Sequence, residues 1–293
     1  MASNVPDEEN FLLKAPRPVA TYHRNTYERI SPRHFDGKGK TVLVTGGASG
    51  IGLATAHAFA ESGVARLVLL QRNTKTLEAA KKELTKAWPA TNVLTYPISL
   101  TDYTKVEEIL AELKFIDIVV LSAAMPHEDV PAAQISTAVM TNVFQVNVLT
   151  SFNLVNAYLS LPETSGHSKT IISLSTGAAH VILPNQVGYG PSKAACAQVM
   201  QHFAAERGPK DGVRIFNVHP GVIKTELSAS TTSISLPWED IKLPAHFFTW
   251  IAGPESDYLH GRFVWAQWDV DELNGLKERV AEDPSFLTIG LVQ

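Results

Sequence analysis

The chain alternates short apolar runs with longer segments in which apolar residues recur every three or four positions. The apolar runs predict strands near residues 41–45, 66–71, 93–96, 117–121, 169–175 and 213–218. The periodic segments predict helices near residues 51–62, 75–87, 103–113, 134–160 and 187–207. Strands that alternate with helices require right-handed crossovers, and these produce a parallel sheet. We therefore predict an α/β fold, a doubly wound Rossmann-type parallel sheet with helices on both faces in a single domain.

A glycine-rich turn follows the first predicted strand. It reads Thr45-Gly46-Gly47-Ala48-Ser49-Gly50-Ile51-Gly52, and a helical pattern begins directly after it. Glycines let the backbone approach a pyrophosphate, whose charge is favoured at the amino end of a helix. A glycine-rich turn alone is also compatible with a purely structural role. The strand before it and the helix after it favour a nucleotide site, contacted by Gly46, Ser49, Gly50, Ile51 and Gly52.

A tyrosine and a lysine occur four residues apart in the last predicted helix. Tyr189 and Lys193 would therefore lie one helical turn from each other. A lysine cation beside a phenol favours the phenolate and lowers the pKa of the tyrosine, so the phenol exchanges protons near neutral pH. A solvated surface pair would have the same spacing, and the combination with the glycine turn favours the catalytic interpretation.

These two motifs together resemble the short-chain dehydrogenase/reductase family, and the resemblance extends through most of residues 40–268. In that family a serine thirteen positions before the tyrosine hydrogen-bonds the substrate oxygen. Here that position is Thr176, which keeps the hydroxyl but has a stiffer side chain. Ser175 is the alternative, although the period of a strand places its side chain on the opposite face.

The resemblance also implies an asparagine that holds a water joining the lysine to solvent. By its register in the motif this residue is Asn147, while Asn142 and Asn153 on the same predicted helix are alternatives that would bond only to backbone. Tyr189, Lys193, Thr176 and Asn147 are thus the predicted catalytic group, and the relay needs no metal.

A Pro-Gly segment after the sixth strand is similar to the family's P-G-x-x-x-T motif. The resemblance implies that Pro220, Gly221, Val222 and Thr225 contact the nicotinamide and its ribose-phosphate. The second strand ends in Gln71-Arg72, where the family reads the adenosine ribose. A cation here would pair with a 2′-phosphate, so we predict NADP as the cofactor with Arg72 as its phosphate contact, and NAD as the less favoured cofactor.

Two loops depart from the family pattern. Ser99 stands where an aspartate usually bonds the adenine, and Ser122-Ala123-Ala124-Met125 stands where Asn-Asn-Ala-Gly is expected. Backbone contacts tolerate such changes better than side-chain contacts do, so the binding mode is expected to survive. The remaining predicted cofactor contacts are Leu100, Ser122 and Ala124, together with Tyr189 and Lys193 of the catalytic group.

Composition narrows the class without identifying it. The 293 residues are 45% hydrophobic and 18% charged, with a formal net charge of −4, which describes one water-soluble domain and gives no reason to expect nucleic acid or an anionic membrane as a partner. The first ten residues lack a signal-peptide pattern, and no uninterrupted apolar run approaches the roughly 18 residues of a membrane span, so a cytoplasmic protein is expected.

Single residue types add little. The one cysteine, Cys196, excludes an internal disulfide and is expected to be buried. His127, His180 and His219 fall near the proposed cleft without the spacing of metal ligands, so each is expected to be a hydrogen-bonded structural histidine.

The chain is expected to comprise an irregular N-terminal arm, residues 1–38, and a Rossmann domain, residues 39–293, with a substrate lid at about residues 228–250. The lid is apolar, which favours a hydrophobic or aromatic substrate, but the same side chains fit a core or a dimer surface equally well. Its apolar residues are Ile234, Leu236, Trp238, Phe247, Phe248 and Trp250.

The predicted function is NADP-dependent hydride transfer between the nicotinamide and a carbonyl or secondary alcohol of a hydrophobic small molecule. The alternative is a cofactor-binding protein with little redox activity, acting as a regulatory module or as a scaffold for non-redox chemistry. The resemblance to the family also implies a homodimer or homotetramer. The C-terminal region is similar to reductases of filamentous fungi.

Overall fold

Seven strands form one parallel sheet in the computed structural model, which describes residues 16, 18–162, 167–229 and 238–290. The order of the strands is β3-β2-β1-β4-β5-β6-β7, and every neighbouring pair is parallel. The strands are β1 Thr41–Thr45, β2 Arg66–Gln71, β3 Asn92–Pro97, β4 Ile118–Leu121, β5 Lys169–Leu174, β6 Val213–His219 and β7 Phe263–Trp265. The doubly wound parallel sheet predicted from the sequence is confirmed.

Helices connect the strands and cover both faces of the sheet. They are α1 Gly50–Glu61, α2 Thr74–Ala87, α3 Tyr103–Leu113, α4 Thr137–Phe144, α5 Thr150–Ser160, α6 Tyr189–Glu206, α7 Glu226–Ala229, α8 Lys242–Ile251, α9 Val270–Asn274 and α10 Lys277–Glu282. Side-chain caps fix several of the starts: Asn73 accepts from the Thr76 amide, Asp102 from the Lys105 amide and Ser136 from the Val139 amide. Ser136 explains why α4 begins three residues later than the periodicity predicts.

The alternation of side chains along each strand divides the core into two layers. Val42 and Val44 of β1 face one layer, where α1 and α8 pack, whereas Leu43 between them faces the other layer, where α3, α5 and α6 pack. All three side chains are fully buried. Both faces of the central strands are therefore apolar, as is usual for a parallel sheet covered by helices.

Helices α4 and α5 are joined directly by a wider π-type turn at Gln145–Leu149, so the three together form one long helical segment, Thr137–Ser160. The helix has 24 residues, and an 18-residue window within it has a mean hydropathy of 1.2, so by length and composition alone it could cross a membrane. Val155 and Tyr158 are fully buried in the layer that packs on the sheet, however. Helices in the core of a domain pass the same test of length and composition.

The described part of the N-terminal arm lies against the end of the chain. Val19, Ile30 and Phe35 are buried in the larger core layer. The Trp268 indole donates to the Tyr22 hydroxyl at 2.8 Å, and the Val270 amide donates to the Tyr27 hydroxyl at 3.1 Å. The arm is thus attached to the segment that follows β7.

The proposed lid splits into parts with different surroundings. Ile234 and Leu236 lie outside the described residues. Phe247, Phe248 and Trp250 belong to α8, which packs against α1, and all three are core residues. Of the lid residues that the structure describes, Trp238 is the apolar side chain that is left exposed, at 41%. The three core aromatics therefore give no information about the substrate.

Candidate active site

A cavity of about 830 Å³ opens at the carboxyl ends of the strands, beside β1 and β4. The chain runs from β1 to β2 and β3 on one side and from β4 to β7 on the other, so the order of the strands reverses between β1 and β4. Ligands of doubly wound sheets bind at such a reversal, outside the carboxyl ends of the strands.

The glycine turn forms the wall of this cavity next to β1, and three of its glycines are required by the geometry. Gly46 and Gly50 have φ values of +64° and +51°, a region that residues with side chains rarely adopt. At Gly52 a Cβ would lie 2.3 Å from the carbonyl oxygen of Gly46, which is impossible without a shift of the backbone. Gly50 and Gly52 thus leave two of the first three positions of α1 without a side chain, which gives a pyrophosphate access to the backbone amides there.

A threonine that the sequence analysis did not select links the two central strands at this point. The Thr45 hydroxyl accepts hydrogen bonds from the Ser122 and Ala123 amides at 3.0 and 3.1 Å. This link across the sheet is therefore made by the Thr45 side chain and by backbone amides of the loop after β4. The position of Thr45, the last residue of a buried strand and the first of the glycine turn, was the available signal.

Tyr189 and Lys193 are both on α6, but their surroundings differ from the expectation. Burial raises the pKa of Tyr189 to about 12, and burial lowers the pKa of Lys193. The Lys193 ammonium donates to the Leu174 carbonyl at 2.5 Å. The pKa of Tyr189 is therefore raised and not lowered as expected, because burial removes water from around the phenol.

The two hydroxyls at the end of β5 are placed differently from each other. The strand ends at Leu174, and Thr176 begins a short turn, in which its hydroxyl accepts from the Ala178 amide at 3.3 Å. The Ser175 hydroxyl is buried and has no hydrogen-bond partner among the described residues. Both residues line the cavity, so both remain candidates for the hydroxyl that hydrogen-bonds the substrate oxygen.

Asn147 lies in the π-type turn and is 1% exposed. Its amide oxygen accepts from the Met125 amide at 2.7 Å, and its amide nitrogen donates to the Met125 carbonyl and the Ser192 hydroxyl, both at 2.9 Å. The side chain thus joins the loop after β4 to α6 beside the tyrosine and the lysine. Met125, where the family has a glycine, is held through its backbone.

Most of the predicted cofactor residues meet at the same cavity. Its lining includes Gly46, Ser49, Gly50, Ile51, Arg72, Leu100, Ser122, Ala124, Pro220, Gly221, Val222, Thr225, Tyr189 and Thr176. Gly52, Lys193 and Asn147 lie behind this lining. Ser99, also in the lining, shares a hydrogen bond of 2.8 Å with the Thr101 hydroxyl. Arg72 is exposed at the end of β2.

The three histidines singled out in the sequence are all hydrogen-bonded; His127 and His219 are buried, whereas His180 is exposed. His127 donates to the Glu128 carbonyl at 2.7 Å and accepts from the Gly188 amide at 2.9 Å. His180 accepts from the Trp265 indole at 3.1 Å. His219 accepts from the Gly177 amide at 2.9 Å, and burial lowers its pKa to about 3. Each of the three therefore hydrogen-bonds groups of the protein itself, as expected of a structural histidine.

The donor set and the shape of the cavity fit a nicotinamide dinucleotide. The glycine-rich amino end of α1 suits a pyrophosphate, and Arg72 supplies a cation next to β2. The Ser175 hydroxyl, which has no hydrogen-bond partner among the described residues, lies in the lining with Tyr189, Thr176 and Pro220. A sheet of this topology with a glycine-lined crevice at its reversal defines a Rossmann-type dinucleotide-binding protein.

Comparison with known proteins gives the family. The short chain dehydrogenase family model matches residues 40–234, and the chain belongs to this family. It is 51% identical over 278 residues to the short chain dehydrogenase/reductase AacuD of Aspergillus aculeatus, covering 94% of this chain and 97% of that protein. It is 48% identical over 286 residues to a short chain dehydrogenase/reductase of Claviceps purpurea, with 97% of each chain covered.

A solved structure agrees with the fold. A putative short chain dehydrogenase from Pseudomonas syringae superposes with a TM-score of 0.70 at 26% identity, covering 79% of this chain and 96% of that one. The resemblance inferred from the motifs, including its similarity to fungal reductases, is confirmed. The chain is therefore an oxidoreductase of a family that binds a nicotinamide cofactor.

Proposed function

We propose that this protein is an NADP-dependent oxidoreductase that interconverts a carbonyl and a secondary alcohol on a hydrophobic small molecule. The observation that carries the proposal is the convergence of the Tyr189 phenol, the Thr176 hydroxyl and the glycine turn on one cavity, with Lys193 buried behind it. A bound nicotinamide supplies or accepts the hydride, and the protein supplies the geometry and the proton.

The protonation state of Tyr189 supports a role as proton donor. A phenol with a pKa of about 12 is protonated at neutral pH, so Tyr189 is ready to donate to a developing alkoxide in the reductive direction. Thr176 would hydrogen-bond the same oxygen, with the unpartnered Ser175 hydroxyl as the alternative donor. Lys193 would hold the nicotinamide ribose, and Asn147 would fix the loop after β4 against α6.

Arg72 supports NADP over NAD. It is exposed and lines the cavity at the end of β2, with no carboxylate among the described residues close enough to form an ion pair with it. A guanidinium in this position can bind a 2′-phosphate through paired hydrogen bonds. NAD, which lacks that phosphate, would gain nothing from the contact.

The lining away from the glycine turn supports an apolar substrate. It includes Leu183, Leu227 and the exposed indole of Trp238. Apolar walls with a few directed polar groups are typical of small-molecule sites. We further propose a cytoplasmic enzyme with an N-terminal arm, residues 1–38, on a single catalytic domain, assembled as a homodimer or homotetramer, which light scattering would test.

The function is tested by two measurements on the same protein. NADPH binding is followed by fluorescence, and NADPH consumption by the loss of its absorbance with a panel of apolar ketones and aromatic carbonyls. We expect binding together with turnover of part of the panel. Binding without turnover across a broad panel would instead favour the cofactor-binding module with little redox activity, to which Thr176, Ser99 and Met125 point.

A further inference from the structure

A glutamate within the lid segment holds the loop between β6 and α7. The Val222 amide donates to the Glu239 carboxylate, and the Glu239 amide donates to the Val222 carbonyl at 3.0 Å. Ile223 and Glu239 also form an isolated parallel bridge. Glu239 therefore hydrogen-bonds both the amide and the carbonyl of Val222. Val222 lines the cavity, in the segment expected to contact the nicotinamide.

The loop is tightly enclosed on the side of this carboxylate. Gly221 has a φ of +99°, and a Cβ there would lie 3.0 Å from both the Glu239 carboxylate and the Gln267 side-chain nitrogen. The close approach of Glu239 thus depends on a glycine at 221. A contact built into the backbone in this way restricts the loop far more than a surface ion pair would.

The glutamate is itself fixed by the N-terminal arm. The Arg24 carbonyl accepts from the Asp240 amide at 2.9 Å, and the Arg24 guanidinium donates to the Trp238 carbonyl at 3.4 Å. Burial raises the pKa of Glu239, and the charge of Arg24 acts in the opposite direction. Arg24 is the charged side chain from another element whose field reaches this carboxylate.

We propose that Glu239 is a positioning residue for cofactor binding: its carboxylate holds the Pro220–Thr225 loop in the conformation that receives the nicotinamide end of the dinucleotide. The proposal rests on the proposed placement of the nicotinamide at this loop. Glu239 acts through Val222 and is not a proton donor or acceptor in the reaction. Its charge matters because a hydrogen bond to a carboxylate is about twice as strong as one to a neutral acceptor.

The test compares Glu239→Ala, Glu239→Gln and the matched control Asp240→Asn. Asp240 is the adjacent carboxylate, and its side chain accepts from the Lys242 amide without touching Val222. We expect Glu239→Ala to raise the Kd for NADPH by about tenfold or more. Glu239→Gln should restore part of the affinity because the amide still accepts a hydrogen bond, and Asp240→Asn should bind like the wild type.

Two further readouts separate positioning from general stability. Amide hydrogen exchange of residues 221–225 in the cofactor-free protein should be faster in Glu239→Ala and unchanged in Asp240→Asn. As the pH falls, the wild-type carboxylate becomes protonated, so the ratio of the Kd of Glu239→Gln to the Kd of the wild type should approach one. Titration of the cofactor's own phosphate cancels in this ratio.

The outcomes distinguish the two proposals. The positioning role is wrong if the wild type binds NADPH, the Glu239 variants bind it equally well, and the ratio of the Kd of Glu239→Gln to that of the wild type does not change with pH. If the wild type binds neither NADPH nor NADH, the proposed function fails. Unaltered amide exchange of residues 221–225 in Glu239→Gln and Glu239→Ala would overturn the role of Glu239 independently.

Discussion

At the scale of single residues, the environment of Tyr189 changes how its chemistry is understood. The spacing of Tyr189 and Lys193 correctly indicated one helix, but spacing carries no information on how much water each group loses. Burial raises the pKa of the tyrosine to about 12 and lowers that of the lysine, whose ammonium donates to the Leu174 carbonyl. The phenol is therefore protonated at neutral pH, as the proposed role of proton donor in carbonyl reduction requires.

Arg72 gives a prediction on cofactor choice. Arg72→Ala should raise the Kd for NADPH by about 10-fold to 100-fold, because a charge-assisted contact to the 2′-phosphate is lost, and should leave the Kd for NADH unchanged. Fluorescence titration with both cofactors measures the two constants. Lys75→Ala removes a nearby exposed cation of α2 that is not in the cavity lining and serves as the control. Equal losses for both cofactors would exclude the phosphate contact.

At the scale of elements, the strands were predictable and the turns were not. The limits of the predicted strands agree with the structure to within one residue because buried parallel strands are continuous apolar runs. The π-type turn at Gln145–Leu149 was not visible, since one wider turn leaves the helical period of the whole segment nearly unchanged. The predicted strand 169–175 ran one residue past the end of β5 at Leu174, and the turn that Thr176 begins was not predicted.

The same limit applies to the site. Motif register brought Tyr189, Thr176 and most of the predicted cofactor residues to one cavity. The partners of those residues, such as the Thr45 hydroxyl on the Ser122 amide and the Glu239 carboxylate on the Val222 amide, come from distant segments. No local pattern in one sequence encodes such contacts.

The π-type turn gives a prediction through Asn147. Asn147→Ala leaves the Met125 backbone and the Ser192 hydroxyl without their buried partner, so we expect a loss of about 2–3 kcal/mol in the free energy of unfolding. Urea unfolding measures it. Asn156→Ala, at an exposed position of α5, should stay within about 0.5 kcal/mol of the wild type. If the two variants unfold at the same urea concentration, the bonds of Asn147 contribute nothing to the fold.

At the scale of the whole molecule, the arm, the segment after β7 and the loop after β6 form one connected region. Arg29 of the arm bonds Glu255 and Asp271, while His23 bonds Asp269 at 2.8 Å. These exposed or half-exposed pairs contribute little individually. The buried His219 and Trp265 rings also lie in this region, with ring centroids 4.3 Å apart.

His219 predicts acid sensitivity of the folded state. Its pKa is about 3 in the fold, mainly through burial, against 6.5 ordinarily, so below pH 6.5 the unfolded chain binds a proton that the folded chain does not. The contribution of His219 to the free energy of unfolding is therefore fully present above pH 6.5 and is lost as the pH falls towards 3. Between about pH 7.5 and 5 the free energy of unfolding should fall by about 2 kcal/mol.

Urea unfolding at both pH values measures this loss. His219→Asn, which keeps an acceptor for the Gly177 amide, should lose about 2 kcal/mol less than the wild type over the same interval. His202→Asn changes an exposed histidine of α6 and should follow the wild type. An unchanged pH dependence in His219→Asn would mean that another group carries the acid sensitivity.

The most direct test of the central claim is the turnover of Tyr189→Phe with any carbonyl that the wild type reduces, measured together with its Kd for NADPH. Removing one hydroxyl keeps the ring and its packing. We predict a loss of turnover of about 10²-fold to 10⁴-fold, the usual contribution of a positioned general acid, with a Kd within about twofold of the wild type. Turnover equal to that of the wild type would contradict the assignment of Tyr189 as the proton donor.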